Sequence, residues 1–297
     1  MRPIPNRSRE NGHGTCGVRE IKTRPQVHRQ GILDCVFIRA CFDESIRQDF
    51  DEPICVGGYV FKQAAYEKFK RQWHRTVLRH GKRRFTAFHM FDLFAGNDEY
   101  EGLRAEDRAA ILDAAVTAVG DHAYAGIGTY FDQAEFARSV PADWAERFGS
   151  IYALACNLCL QATGHWLDQW HCPMRVEYLF EQGHKHLHEA DARLKAAVAL
   201  PGIAKRFHYR SHAFLGKGEP GLQTADLFAY TMTKVQAHHA GKKIYPTMIP
   251  PLLKLAQSPK LQKLHRVTGD KLKRLLDEHN TSPHDLFVDI KHSGTLK

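Results

Sequence analysis

The segment VFIRACFDES (36–45) runs apolar for most of its length and then stops on Asp43, Glu44 and Ser45. A second acid, Glu181, closes VEYLFEQG, and a third, Asp226, lies inside LQTADLFAY. Carboxylates are hard oxygen donors suited to Mg2+ or Mn2+, and two such ions about 4 Å apart can clamp the attacking and leaving oxygens of a phosphodiester. These residue types therefore point to metal-dependent phosphoryl transfer, with Asp43, Glu181 and Asp226 as metal ligands and Glu44 assisting catalysis.

Each acid needs an element to deliver it. ILDCVFIRACFD (32–43) is β-rich and apolar on both faces, as a central strand is. Asp43 would then stand at a strand end, where open sheets bind their ligands. Strand alternation puts Asp43 in phase with Phe37 and Cys41 and sends Glu44 to the other face with Ile38 and Phe42, so Glu44 needs a turn to bring it round. MRVEYLFE (174–181) predicts a second strand that ends on Glu181, with Gly183 available for the turn; the rival reading of Glu181 is a solvated strand end. GLQTADLFAYTMTKVQAHH (221–239) predicts a helix in which Asp226 is flanked at helical spacing by Leu222, Gln223, Ala229 and Tyr230, a face that looks largely buried. Ala225 and Ala229 would let it lie close to a sheet. A buried carboxylate needs a cation or hydrogen-bond donors. That cation is a metal or, in the rival reading, Arg39 on the Asp43 face of the first strand.

The remaining pattern alternates strands and helices. PICVGGYVF (53–61), HAYAGIGTYF (122–131) and RFHYRSHAF (206–214) read as strands. QAAYEKFKRQWHRTVLRH (63–80) reads as a basic amphipathic helix, and RAEDRAAILDAAVTAVG (104–120), a long segment over 144–170 and HLHEADARLKAAVAL as further helices. RRFTAFHMFDLFAG is a short strand or loop, and two Lys/Leu-rich helices are predicted within 250–279. With the helices at 63–80 and 104–120 set aside as insertions, the order is that of a ribonuclease H-like mixed α/β sheet flanked by helices. The expected organisation is a basic N-terminal tail over 1–30, the α/β domain over 31–240 and a basic helical extension over 241–297.

Composition narrows the function classes. At 297 residues and 43% hydrophobic content the chain fits one large domain or two small ones. No apolar run approaches the roughly 20 residues of a membrane span, and the N-terminus has no apolar signal core, which predicts a cytoplasmic protein with no membrane partner. Seven cysteines are an odd count and argue against a disulfide framework. Cys156 and Cys159 form a CxxC, but within a helically spaced apolar run they read as core. Residues 1–30 carry 7 basic and 2 acidic side chains and residues 241–297 carry 11 basic and 5 acidic, within a total of +9. Cationic ends on a near-neutral middle suit a nucleic acid, DNA or RNA, and equally suit solvated tails.

Other residues compete for chemistry. His184, His186 and His188 would share a face and suit zinc on a strand, whereas on a helix start they scatter. His89, after a Phe-rich run, is a general base or phosphate contact beside the acids, or else a core histidine. Lys217, in the glycine-flanked LGKGEPG, can touch a phosphate near the metals or simply face solvent. GxxxxGK[ST] and GxSxG are absent from the sequence, so P-loop nucleotide hydrolysis and serine hydrolysis lack their signatures.

DES after the first strand, the FHMFDL segment and above all LQTADLFAY resemble the bacterial domain-of-unknown-function 3800 family, over roughly residues 32–235. The resemblance implies a ribonuclease H-like fold with suspected metal-dependent nuclease activity. The matching positions are Asp43, Glu44 and Ser45, then His89, then Gln223, Ala225, Asp226 and Leu227; with His89 and Lys217, Gln223 is taken as substrate-binding. The chain departs from the family at Ile46, where glycine is usual, and at Glu181, where aspartate is often found. The expected activity is a metal-dependent nuclease. The alternative is a non-catalytic nucleic-acid-binding or protein-interaction module on the same fold.

Overall fold

The computed structural model describes residues 37–45, 53–139, 149–239 and 261–267. The tail over 1–30, the linker IRQDFDE and the remainder of the C-terminal extension lie outside the described residues.

The strands are β1 (Phe37–Ser45), β2 (Ile54–Lys62), β3 (Arg79–His80), β4 (Arg83–Arg84), β5 (Ala125–Phe131), β6 (Arg175–Glu181), β7 (Tyr209–Leu215) and β8 (Leu261–Val267). The α-helices are α1 (Gln63–Thr76), α2 (Met90–Ala95), α3 (Ala105–His122), α4 (Gln133–Ser139), α5 (Ile151–Gln169), α6 (Leu187–Ala199), α7 (Ile203–Arg206) and α8 (Pro220–His239). Six strands form one mixed sheet in the order β7-β6-β1-β2-β5-β8, and β3 with β4 makes a separate small hairpin. β2 is antiparallel to both β1 and β5, whereas β1–β6, β6–β7 and β5–β8 are parallel, so β2 alone runs against the rest.

Alternation along β1 builds both faces of the core. Ile38, Ala40 and Phe42 join β6 residues Tyr178 and Phe180 under α5, while Cys41 joins Tyr59, Phe61 and Leu179 under α1 and α8. A strand buried on both sides must be apolar throughout, which is why this segment lacks the polar alternation of a surface strand. Helix α5 is buried along nearly its whole length, including Cys156 and Cys159, which are free thiols in the core. Its N-cap is Ser150, whose hydroxyl accepts the Ala153 N–H at 3.2 Å.

Glycines decide how closely α8 approaches the sheet. A Cβ at Gly58 would meet the Cys41 carbonyl oxygen at 1.8 Å and Ala225 Cβ at 2.8 Å, and Gly57 and Gly128, paired across β2 and β5, leave the slot that the Phe228 ring fills. The small residues expected on this helix thus have small partners on the strands. Their contact brings Asp226 down to the level of the sheet.

One element differs in kind from expectation. Leu261–Val267 lies in the region predicted as Lys/Leu-rich helices and instead forms β8, parallel to β5. The backbone donors and acceptors along the outer edge of β5 need partners, and satisfying that ladder outweighs the modest helix preference of leucine and lysine. The segment RRFTAFHMFDLFAG, expected as a short strand or loop, opens with β4 and also contains the short helix α2, ended by Gly96 at φ 70°. Among the described residues no helix is long and apolar enough to cross a membrane.

Candidate metal centre

β1 and β6 are adjacent and parallel, and their last paired residues are Phe42 and Phe180. The residues that follow, Asp43 and Glu181, therefore stand side by side at the carboxyl edge of the sheet. Gly183, at φ 124°, turns the chain away immediately beyond Glu181. One carboxylate oxygen from each of Asp43, Glu44 and Glu181 lies within 4.8 Å of the others, and this is the group among the described residues that could hold a metal ion.

Glu44 enters that group without the expected turn. β1 continues extended through Ser45, and alternation does direct Glu44 to the α5 face, where its charge is felt by Tyr152. Beyond Phe42, however, β1 has no β6 partner, and a Glu44 carboxylate oxygen comes within 4.8 Å of those of Asp43 and Glu181.

The local chemistry asks for a cation. Asp43 is only 3% exposed. Its Oδ1 accepts the Glu44 backbone N–H at 2.7 Å, while Asp43 Oδ2 and Glu44 Oε2 are buried and accept no hydrogen bond. Buried carboxylate oxygens without donors cost several kcal/mol, so an oxygen-preferring dication fits this set. Burial, and after it the charge of Asp226, raises Asp43 well above the ordinary carboxylate range, with Lys217 pulling the other way. Burial and the nearby Glu181 push Glu44 up to about 7. Glu181 is raised by its burial, against the pull of Lys217 and His89.

Asp226 belongs to the site's surroundings and not to the close set of three. Its Oδ2 accepts the Met90 N–H at 2.7 Å, satisfying a first-turn donor of α2, and its Oδ1 lies 3.9 Å from Lys217 Nζ. The same ammonium is 3.7 Å from Asp43 Oδ2, so the two aspartate oxygens are separated by no more than the sum of those distances. Burial works to lower the Lys217 pKa, but Asp226 and Asp43 together with the glutamates leave it raised, and the lysine stays charged. The rival pairing of Asp226 with Arg39 is overturned: Arg39 binds Glu177, with Nη2 at 2.6 Å and Nε at 2.8 Å from Oε2.

The three residues expected to contact substrate part company here. Lys217 stands between the acids. His89 presents Nε2 toward Asp226 Oδ2 at 4.0 Å, while its Nδ1 is held by Asp92 Oδ2 at 2.5 Å. Gln223 is fully buried: its Oε1 accepts from Trp73 Nε1 at 2.7 Å and from the Phe88 N–H at 3.0 Å, and its Nε2 donates to the Lys217 carbonyl at 2.7 Å. Its amide thus ties the Lys217 loop to the segment that leads to His89. Asp92 is absent from the residues expected at the site, although its spacing three residues after His89 is a legible signal for a helix-borne partner. In the His184 group, His184 stacks on Tyr152 at 3.8 Å and its Nδ1 accepts the His186 N–H at 3.1 Å, while the His186 ring faces Glu189 at 3.4 Å just before helix α6 begins.

No protein-family model matches the chain, and a search of curated proteins finds no significant relative.

Proposed function

We propose that the protein is a metal-dependent nuclease that hydrolyses phosphodiester bonds at the centre formed by Asp43, Glu44 and Glu181. The observation that carries this reading is the pair of buried, undonated oxygens, Asp43 Oδ2 and Glu44 Oε2, facing Glu181 at the strand ends. When bound there, Mg2+ or Mn2+ would polarise a phosphate oxygen and acidify a bound water. Lys217 would offset charge on the phosphate. His89, oriented by Asp92, can hold or release a proton at Nε2 beside the reacting group. The strand order with one antiparallel member supports a ribonuclease H-like assignment, and the DES, FHMFDL and LQTADLFAY motifs support membership of the domain-of-unknown-function 3800 family.

Charge argues for a nucleic acid as the substrate class. Lys68, Arg71, His74 and Arg75 on α1 and Arg79, Lys82, Arg83 and Arg84 on the β3–β4 hairpin crowd into one short stretch, most of them exposed, and that stretch leads directly to His89. Cations so arranged attract phosphates by releasing counterions.

The test is cleavage of labelled single- and double-stranded DNA and RNA in the presence of chelator, Mg2+ or Mn2+. Cleavage that requires metal and disappears in Asp43→Asn is the expected result. Binding without cleavage under every metal would make the protein a nucleic-acid-binding module.

A further inference from the structure

We propose that this centre takes a single divalent cation, on Asp43, Glu44 and Glu181, and that the Lys217 ammonium is its built-in second cation, bridging Asp43 and Asp226. The inference rests on reading the acids as a metal centre, and it is independent of the reaction assigned to that centre.

The four carboxylates divide into two functional groups. Three bring oxygens within 4.8 Å of one another, and Asp226 is not among them. Asp226 Oδ2 takes the Met90 N–H, and its Oδ1 faces Lys217 Nζ at 3.9 Å. Asp43 is shared, its Oδ2 lying 3.7 Å from the same Nζ. A dication bridging Asp43 and Asp226 would have to take the position of that ammonium, which already stands 3.7 Å from one aspartate oxygen and 3.9 Å from the other.

Lys217 is also built into its place. Its carbonyl accepts the Gln223 amide at 2.7 Å, and the turn that carries it is closed by the Glu219 N–H donating to the Gly216 carbonyl at 3.2 Å. Glu219 is in turn hydrogen-bonded by the Tyr66 hydroxyl, over whose ring Arg39 lies at 4.7 Å. A lysine that merely faced solvent would not require a loop anchored to buried Gln223 and Tyr66. The ammonium is covalently tethered to the chain, so the second charge of the centre does not depend on metal concentration.

The experiment is Mn2+ binding to the full chain, by titration calorimetry and by electron paramagnetic resonance of free Mn2+. Wild type is expected to bind about one Mn2+ per chain, Lys217→Arg about one, and Lys217→Met, which keeps the stem and removes the charge, about two. Two ions on wild type, or one on folded Lys217→Met, overturns the inference while leaving the metal centre in place. No binding to wild type removes the metal centre itself, and the inference with it. If Lys217→Met does not fold by circular dichroism, Asp226→Asn decides. Its single site should keep an affinity within about threefold of wild type, and a loss beyond about tenfold would make Asp226 a ligand and overturn the proposal.

Discussion

At the scale of the residue, burial makes the charged form of Asp43, Glu44 and Glu181 costly to the metal-free protein. For Glu44 the consequence has a definite sign. A carboxyl held at about 7 when folded, against an ordinary 4.5, binds more protons in the folded chain than in the unfolded one between those values. The group therefore weakens the fold as pH rises through that window, and its effect levels off above it. In chelator, wild type should lose melting temperature relative to Glu44→Gln as pH increases from about 4.5 to 7. Saturating Mn2+ should reverse the trend, since the ligands must be deprotonated to bind it. Scanning calorimetry of both proteins across this range decides the matter, and parallel curves in chelator would show that Glu44 is not held in the buried environment described.

At the scale of the element, the site is a junction of α8, α2, the Lys217 loop and the ends of β1 and β6. Gln223 ties several of these together, since it binds Trp73 on α1, the Phe88 N–H just before α2 and the Lys217 carbonyl. Gln223→Ala would leave the Trp73 and Phe88 donors buried without an acceptor, each worth about 1 to 3 kcal/mol. A loss of about 2 to 5 kcal/mol in urea unfolding is expected, with a weaker thermal response to Mn2+ because Lys217 and His89 lose their common anchor. A residue that only contacted substrate would shift stability by less than about 0.5 kcal/mol, and that result would support the substrate-binding reading.

For the molecule as a whole, charge is distributed differently from what the chain ends alone imply. The sequence is basic at both termini, and the folded domain adds a further cationic surface on α1 and the β3–β4 hairpin, where Arg79, Lys82 and Arg84 are exposed. Arg83 is partly committed, donating to the Glu101 carbonyl at 2.8 Å. Replacing Arg79, Lys82 and Arg84 together by alanine should weaken oligonucleotide binding and reduce the slope of log affinity against log salt by about one for each phosphate no longer neutralised. Fluorescence anisotropy over a salt series measures both quantities. An unchanged affinity and slope would count against this hairpin as a nucleic-acid contact.

Much of this was open to reading from the chain because it depends on local pattern. The doubly apolar FIRACF segment identified a central strand with Asp43 at its end, RVEYLFE did the same for Glu181, and the helical spacing of LQTADLFAY showed that Asp226 is buried. Where each of those carboxylates finds its partner is a property of the assembled sheet. The parallel pairing of β1 with β6 sets Asp43 beside Glu181, and Glu44 joins them although its alternation points away. Asp226 meets the Met90 N–H and Lys217 because the glycines of β2 let α8 come close, while Arg39 is taken by Glu177 on the adjacent strand. β8 likewise depended on the free edge of β5, which no window of its own residues contains. Periodicity is a property of neighbours along the chain, and a buried charge is balanced by neighbours in space. The tertiary structure alone therefore decided which acids lie close enough together to hold one cation and which face Lys217.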